Sequence, residues 1–210
     1  MTLRRMVQLA PRMVRRAPRI VRNAIRDLRY GSFLGGTVKT RFKHLGAHDA
    51  GNVEYEDLPP LFAPAHVGPD DVIVDVGAGK GRSINWLLDR YPSNRIIGIE
   101  IDPELCEKSA RRLRGHANVS ILCGDATELL PRDGTVFYLF NPFDENVMQR
   151  FIDAYLATGM DPRRRIVYHN CKFIHLFADN PRFEVQPIEL PSGNFRSALI
   201  TLSSATHTPA

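Results

Sequence analysis

The chain has 210 residues, of which 43% are hydrophobic and 24% are charged, as expected of one globular domain with an appendage. No stretch reaches the roughly 20 apolar residues that span a bilayer, and arginines interrupt the apolar residues near the start, which argues against a secretory signal. The net charge of +5 is unevenly distributed. Residues 1–30 hold nine arginines and one acid, whereas residues 31–210 carry a net charge of −3.

The N-terminal arm, residues 1–36, has a basic amphipathic pattern. We predict a helix from about Pro18 to Arg29. The arm is expected to bind an anionic membrane surface or nucleic acid through residues 1–30; the alternative is a helix whose apolar stripe packs on the domain. The apolar residues recur at three- and four-residue steps: Met13, Val14, Ala17, Ile20, Val21, Ala24, Ile25 and Leu28.

Residues 37–70 form a predicted linker, and residues 71–204 form a predicted α/β domain. Short β-branched strands alternate with helical patterns, which indicates a parallel sheet covered on both faces. Two final strands, "RFEVQPIELP" and "RSALITLSS", are joined by the turn "PSGN" and predict an antiparallel hairpin. The other predicted strands are Val72–Val76, Arg95–Glu100, Val119–Cys123, Val136–Phe140 and Arg165–His169. The predicted helices are Gly81–Arg90, Pro103–Arg114, Asn146–Ala157 and Lys172–Phe177.

A glycine-rich turn, "VDVGAGKGR", joins the first strand to the first helix of this domain. Gly77, Gly79 and Gly81 allow positive φ angles and a close approach of a ligand to the backbone. Their spacing, G-x-G-x-G, is one residue shorter than the dinucleotide fingerprint, and no P-loop sequence follows. The turn therefore indicates a nucleotide-like ligand and disfavours an NAD(P)-dependent oxidoreductase.

Three acids accompany the glycine turn at the carboxyl edge of the predicted sheet. Asp75 lies inside the first strand, Glu100 ends the second and Asp125 follows the third. A carboxylate beside a pyrophosphate would be repelled, whereas one beside a cationic ligand would be favoured. An acid at the end of the second strand is placed to bind ribose hydroxyls.

The motifs "VDVGAGKGR", "IGIEID" and "GDA", in this order, resemble a class I S-adenosylmethionine-dependent methyltransferase across about residues 52–203. The resemblance implies a Rossmann-like seven-stranded sheet with an antiparallel C-terminal hairpin, and S-adenosylmethionine as the cofactor. It also implies roles for individual residues. Asp75 and Gly77 would lie by the methionyl ammonium, and Glu100 would bind the ribose. The remaining implied cofactor-binding residues are Ala78, Gly79, Gly81, Ile101, Asp125, Ala126 and Asn141.

Asn141-Pro142-Phe143, after the fourth strand, resembles the [DNS]-P-P-[YF] motif of amino-methyltransferases with one proline fewer, and the "YNPF" of small bacterial methyltransferases. Amide and carbonyl oxygens there can orient an amine lone pair, and an aromatic face can stabilise developing positive charge. These three residues are therefore the predicted catalytic residues, and an amine of a protein lysine or a small molecule is the predicted methyl acceptor. In related enzymes a Tyr- and Pro-rich segment covers the cofactor, a part that Tyr55 and Glu56 could play here.

Two alternatives remain open for this fold. His169, at the end of the fifth strand, could serve as the general base of an O-methyltransferase. The domain could also be a non-catalytic S-adenosylmethionine-binding module tethered by its arm.

The cysteines and histidines add little to the functional prediction. The three cysteines (Cys106, Cys123 and Cys171) are odd in number and far apart, which predicts a reducing, cytoplasmic location, peripheral to a membrane if the arm binds one. His44 and His48 show no further ligand spacing, so no metal site is predicted.

Overall fold

A computed structural model describes residues 19–159, 161–193 and 195–203 of the chain. Seven strands form one sheet in the order β3-β2-β1-β4-β5-β7-β6. The five predicted parallel strands and the final hairpin are confirmed. The strands are β1 (Val72–Val76), β2 (Arg95–Glu100), β3 (Val119–Cys123), β4 (Val136–Phe140), β5 (Arg165–His169), β6 (Phe183–Ile188) and β7 (Ser197–Leu202).

The direction of the strands indicates which edge of the sheet can bind a ligand. Strands β1 to β5 run parallel, and β7 runs antiparallel to both β5 and β6. The strand order reverses beside β1, which pairs with β2 on one side and β4 on the other. Ligands of open α/β sheets bind outside the carboxyl ends of the strands at such a reversal.

The helices connect the strands and cover both faces of the sheet. Residues 19–29 form α1, which confirms the predicted N-terminal helix over the described residues; residues 1–18 lie outside them. Side chains of Asp102 and Asp144 accept hydrogen bonds from the amides of Glu104 (2.9 Å) and Val147 (3.0 Å), and so cap the helices that follow. The other helices are α2 (Leu58–Phe62), α3 (Arg82–Arg90), α4 (Pro103–Leu113), α5 (Ala126–Leu129), α6 (Glu145–Ala157) and α7 (His175–Ala178).

The hydrophobic core has two parts, one on each face of the sheet. Side chains alternate between the faces along each strand: Val74 and Val76 belong to the part that includes α6, and Ile73 to the part that includes α2 and α3. Residues of the predicted linker belong to the second part, since Leu58, Leu61 and Phe62 are fully buried there. This segment is thus packed against the sheet.

The helix α1 meets the domain through its polar residues. Asp27 is fully buried, and its carboxylate accepts hydrogen bonds from the Arg82 Nε (3.0 Å) and Nη2 (2.6 Å), the Tyr55 hydroxyl (3.0 Å) and the Leu34 amide (3.1 Å). Asn23, one turn earlier, is also buried and donates to Glu54. The large apolar side chains of α1 are exposed, so the alternative that the apolar stripe packs on the domain is wrong for the described part of the arm.

None of the described helices has both the length and the apolar character needed to cross a membrane.

We expect Arg82→Ala to lower the free energy of unfolding by about 3–5 kcal/mol, because it leaves Asp27 buried without its charged partner. The matched control is Arg111→Ala, which removes an exposed i, i+4 ion pair with Glu107 and should cost less than about 0.5 kcal/mol. Urea denaturation of both variants measures the difference. Equal losses would contradict a stabilising role for the buried pair.

Candidate active site

The glycine turn after β1 has the backbone geometry that its sequence requires. The φ angles of Gly77, Gly79 and Gly81 are 74°, 55° and 77°, all in the left-handed region. A Cβ atom at Gly77 would lie 2.5 Å from the Cβ of Pro142, so a side chain there is excluded by crowding as well as by φ. The turn therefore brings the backbone after β1 directly against the loop after β4.

Glu100 connects the glycine turn to the end of β2. Its Oε2 accepts from the Gly79 amide at 2.7 Å, and its Oε1 accepts from the Ile101 and Asp102 amides at 2.9 Å each. Burial raises the pKa of this carboxyl, and the three backbone donors oppose that rise. An ionised carboxylate has about four acceptor positions, so about one remains for a ligand.

A cleft with about 820 Å³ of empty space, the open solvent at its mouth included, lies at this edge of the sheet, and we call it the main cleft. Most of the predicted site residues line it, together with residues of the 38–51 segment. The predicted residues that line the cleft are Gly77, Gly79, Glu100, Ile101, Asp125, Ala126, Asn141, Pro142 and Phe143.

Three predicted cofactor-binding residues lie behind the cleft wall. Ala78 is buried in the core beside α3, and a Cβ atom at Gly81 would lie 2.8 Å from the Arg112 Nη2. Asp75 is buried and accepts a hydrogen bond from the Ser83 hydroxyl. Burial raises the pKa of Asp75 to about 7, and the charge of Glu100 adds to the rise. A cationic group near the turn would favour the ionised form of Asp75.

Asp125 is the N-cap residue of α5, at the opposite side of the cleft. Its Oδ1 accepts from the amide and the hydroxyl of Thr127, both at 2.8 Å, and its Oδ2 lies 3.4 Å from Arg150. The carboxylate is therefore a helix cap with one oxygen partly engaged by a surface arginine. Ala126 behind it is buried and packs with the apolar side of the cleft.

Asn141 directly follows β4 and has the left-handed φ of 44°, which few residues other than glycine adopt without strain. Its Oδ1 lies 3.4 Å from the Tyr168 hydroxyl, and its side chain is buried. It lines both the main cleft and a second, adjoining cleft. Asn141 therefore stands at the junction of two spaces.

His48 is a residue of this site to which the sequence pattern gave no role. Its backbone amide donates to the Pro142 carbonyl at 3.0 Å, and its Nδ1 lies 2.9 Å from the Asn141 carbonyl and 3.1 Å from the Asn141 Nδ2. The carbonyl contact requires a proton on Nδ1, and the amide contact requires a lone pair there, so the two contacts select different tautomers. His48 also lines both clefts.

The aromatic faces of the site are not placed as the motif predicts. Phe143 is buried and packs on Phe151 at 5.9 Å between ring centroids, although its edge lines the main cleft. Phe140, which the sequence did not single out, is half-buried and lines the main and adjoining clefts. Tyr55 and Glu56, the expected cover of the cofactor, line neither cleft; residues 38–51 do so.

His169 lies beside Phe140 but outside those two clefts. The ring centroids are 4.4 Å apart, the His169 Nδ1 lies 2.9 Å from the Ser197 hydroxyl, and Nε2 is buried without a hydrogen-bond partner among the described residues. Burial lowers the pKa of His169 to about 4. The imidazole is therefore neutral and weakly basic at neutral pH.

A sequence model of the family described as "Methyltransferase domain" matches residues 73–158, which include the glycine turn, Glu100, Asp125 and Asn141. These residues therefore match a methyltransferase domain, in agreement with the motifs of the sequence. Similar curated proteins include a tRNA (guanine-N(7)-)-methyltransferase of Rhodopirellula baltica, 40% identical over 78 residues (35% of this chain, 29% of that protein). Another is a trans-aconitate 2-methyltransferase of Sinorhizobium fredii, 28% identical over 91 residues (40% and 34%).

Solved structures share the fold of this domain. An RNA methyltransferase of Salinibacter ruber in complex with S-adenosyl-L-homocysteine is similar with a TM-score of 0.55 at 22% identity, covering 72% of this chain and 92% of that one. A SAM-dependent methyltransferase of Aquifex aeolicus has a TM-score of 0.58 at 12% identity, covering 70% and 90%. The sequence matches are shorter than these structural matches. The chain spans about a fifth to a third of the length of the curated relatives it matches.

The residues that line the main cleft fit S-adenosylmethionine. The free acceptor position of Glu100 suits a ribose hydroxyl, and Ile101, Ala126 and Val147 offer an apolar wall for a purine. Carboxylates on both sides of the cleft suit a cofactor that carries an ammonium and a sulfonium. Among the residues that the structure describes, no group of three His, Cys, Asp or Glu side chains could hold a metal ion.

We expect Glu100→Gln to weaken S-adenosylmethionine binding by about ten- to a hundredfold, because the amide group brings an N–H against one of the three backbone donors. Isothermal titration calorimetry measures the dissociation constant. The control is Glu104→Gln on α4, whose exposed carboxylate pairs with Lys108 and should leave the affinity unchanged. Tight NADH binding by the unaltered protein would contradict the cofactor assignment.

Proposed function

We propose that the chain transfers a methyl group from S-adenosylmethionine to an amine nitrogen of a protein lysine or a small molecule. The observation that carries the proposal is the position of Asn141 between the cofactor cleft and the adjoining cleft. A methyl acceptor has to approach the cofactor through such a junction. The bound cofactor would supply an electrophilic methyl group on a sulfonium.

Residues of this chain would orient the amine. A neutral amine needs its N–H groups held so that its lone pair points at the methyl group. The Asn141 Oδ1 has a second acceptor position beyond its contact with Tyr168, and the face of the half-buried Phe140 can stabilise charge developing on nitrogen. Pro142 holds the turn against Gly77 and so keeps Asn141 at the cofactor cleft.

The electrostatics of the adjoining cleft also support an amine acceptor. Asp49 and Asp144 line it beside Asn141, and carboxylates raise the local concentration of a cationic amine. Lys43 and Lys172 also line it, and the Lys43 Nζ lies 3.8 Å from an Asp49 carboxylate oxygen, so the acids do not form a uniform surface. The relative from Rhodopirellula baltica is named for transfer to a ring nitrogen, whereas the relative from Sinorhizobium fredii is named for a carboxylic acid.

Transfer to oxygen with His169 as the base has less support. The buried, neutral imidazole has a pKa of about 4, so it accepts a proton from a hydroxyl with little driving force. It also lies in a third cleft, next to Phe140 and Phe195, instead of beside Asn141.

We expect Asn141→Gly to lower kcat by about a hundredfold, because glycine keeps the left-handed backbone but removes the orienting side chain. The measurement is transfer of a tritiated methyl group to fractionated cell extract, separated into protein, lipid, RNA and small molecules. Asn146→Gly, at an exposed position in α6, controls for the loss of an asparagine. Full activity of Asn141→Gly would refute the assigned role. Cofactor binding without labelling of any fraction would instead favour a non-catalytic module.

The pH dependence separates the nitrogen and oxygen acceptors. For an amine, kcat/KM should rise with pH up to the acceptor's own pKa, because only the neutral amine has a free lone pair, and His169→Gln should keep this rise. A base with a pKa of about 4 would instead give a rate that is flat above about pH 5. Loss of activity in His169→Gln with cofactor binding intact would favour the O-methyltransferase.

A further inference from the structure

The outer face of α1 carries aliphatic side chains that nothing in the described structure covers. Ile20, Val21, Ile25 and Leu28 are 59%, 56%, 56% and 59% exposed. With about 100° of rotation per residue, they lie within an arc of about 140° on one side of the helix. We call these four side chains the aliphatic stripe. It lies in the strongly basic N-terminal segment, whereas residues 31–210 carry a net charge of −3.

The outward direction of the aliphatic stripe is fixed by two buried residues on the adjoining arc of the helix. Asp27 is held by Arg82 and Tyr55, and Asn23 is held by Glu54. Rotation of α1 to bury the stripe would break this network and leave charged groups without partners. The exposure therefore follows from the fold of the domain.

The charges next to the aliphatic stripe are positive. Arg22, Arg26 and Arg29 are exposed on the neighbouring arc of the helix, and the one acid of α1, Asp27, is buried and neutralised. Arg22 also pairs with Glu56, a surface contact that an anionic ligand can replace. Exposed aliphatic residues beside arginines are complementary to the interface of a bilayer with anionic lipids.

We propose that α1 docks the methyltransferase on an anionic lipid bilayer through the aliphatic stripe and its flanking arginines. Nucleic acid would use the arginines but not the aliphatic side chains, since its affinity comes mainly from phosphate contacts. A second copy of the chain would bring two basic faces together. Of these three partners, the bilayer is the one that uses both parts of the surface.

The docking surface continues to the third cleft, which shares Phe140 with the proposed acceptor cleft. Ile20 lines a cleft together with Phe195, which is 42% exposed, and with Phe140 and His169 at its inner end. A protein lying on α1 therefore has this cleft at the membrane surface. The docking itself rests on α1 alone and does not depend on which atom accepts the methyl group.

The experiment is co-sedimentation of the full chain with vesicles of one part phosphatidylglycerol to three parts phosphatidylcholine. We expect binding that Ile25→Ser/Leu28→Ser weakens at least about tenfold, since both side chains leave water on docking. Arg26→Gln/Arg29→Gln should weaken it about 25-fold, at about a factor of five per arginine. The charge-matched control, Lys108→Gln/Arg111→Gln on α4, should leave binding unchanged. Unchanged denaturation midpoints verify that the variants are folded.

Three results would overturn the proposal. The first is vesicle binding that is insensitive to Ile25→Ser/Leu28→Ser. The second is absence of vesicle binding together with a self-association that this double variant abolishes in sedimentation velocity. The third is tighter binding to single-stranded RNA than to the vesicles, with loss only in Arg26→Gln/Arg29→Gln.

Discussion

The ion pair between Asp27 and Arg82 decides how the N-terminal helix meets the methyltransferase domain. Arg82 is the first residue of α3, directly after the glycine turn, so the pair clamps α1 to the element that carries the cofactor loop. An unpartnered buried charge is costly, and α1 must therefore turn Asp27 inward. Helical periodicity then turns the aliphatic side chains outward. This one contact thus fixes both the position of the glycine turn and the face of α1 that is exposed.

The two sides of the active site come from different parts of the chain. The cofactor side is built from the ends of β1, β2 and β3, within the segment that matches the methyltransferase family. The proposed acceptor side is completed by residues 38–51, which precede the matching segment and contact the loop after β4 through His48. The relatives are named for different acceptors and match only part of this chain, so their names do not select its acceptor.

The strands could be predicted from the sequence because β-branched runs between turns have few alternative structures, and the five parallel strands have the predicted bounds. The glycine turn could also be predicted, because its positive φ angles require glycine. His48 was not, because its partner Asn141 is 93 residues away and no local pattern marks such a contact. The orientation of α1 could not be predicted from the sequence, because hydrophobic periodicity alone favours burial of the aliphatic stripe. The exposure of the stripe follows only from the buried ion pair of Asp27 with Arg82.

Glu100 holds the glycine turn with the protein's own carboxylate, through bonds to three backbone amides. The conformational entropy of this loop is consequently lost during folding and not on binding, so the cleft is preorganised. A cleft of fixed shape receives the methyl donor and the demethylated product in the same way. The two molecules then differ for the protein only in the positive charge of the sulfonium and the volume of one methyl group. The rate at which the product leaves the cleft depends on this small difference in binding.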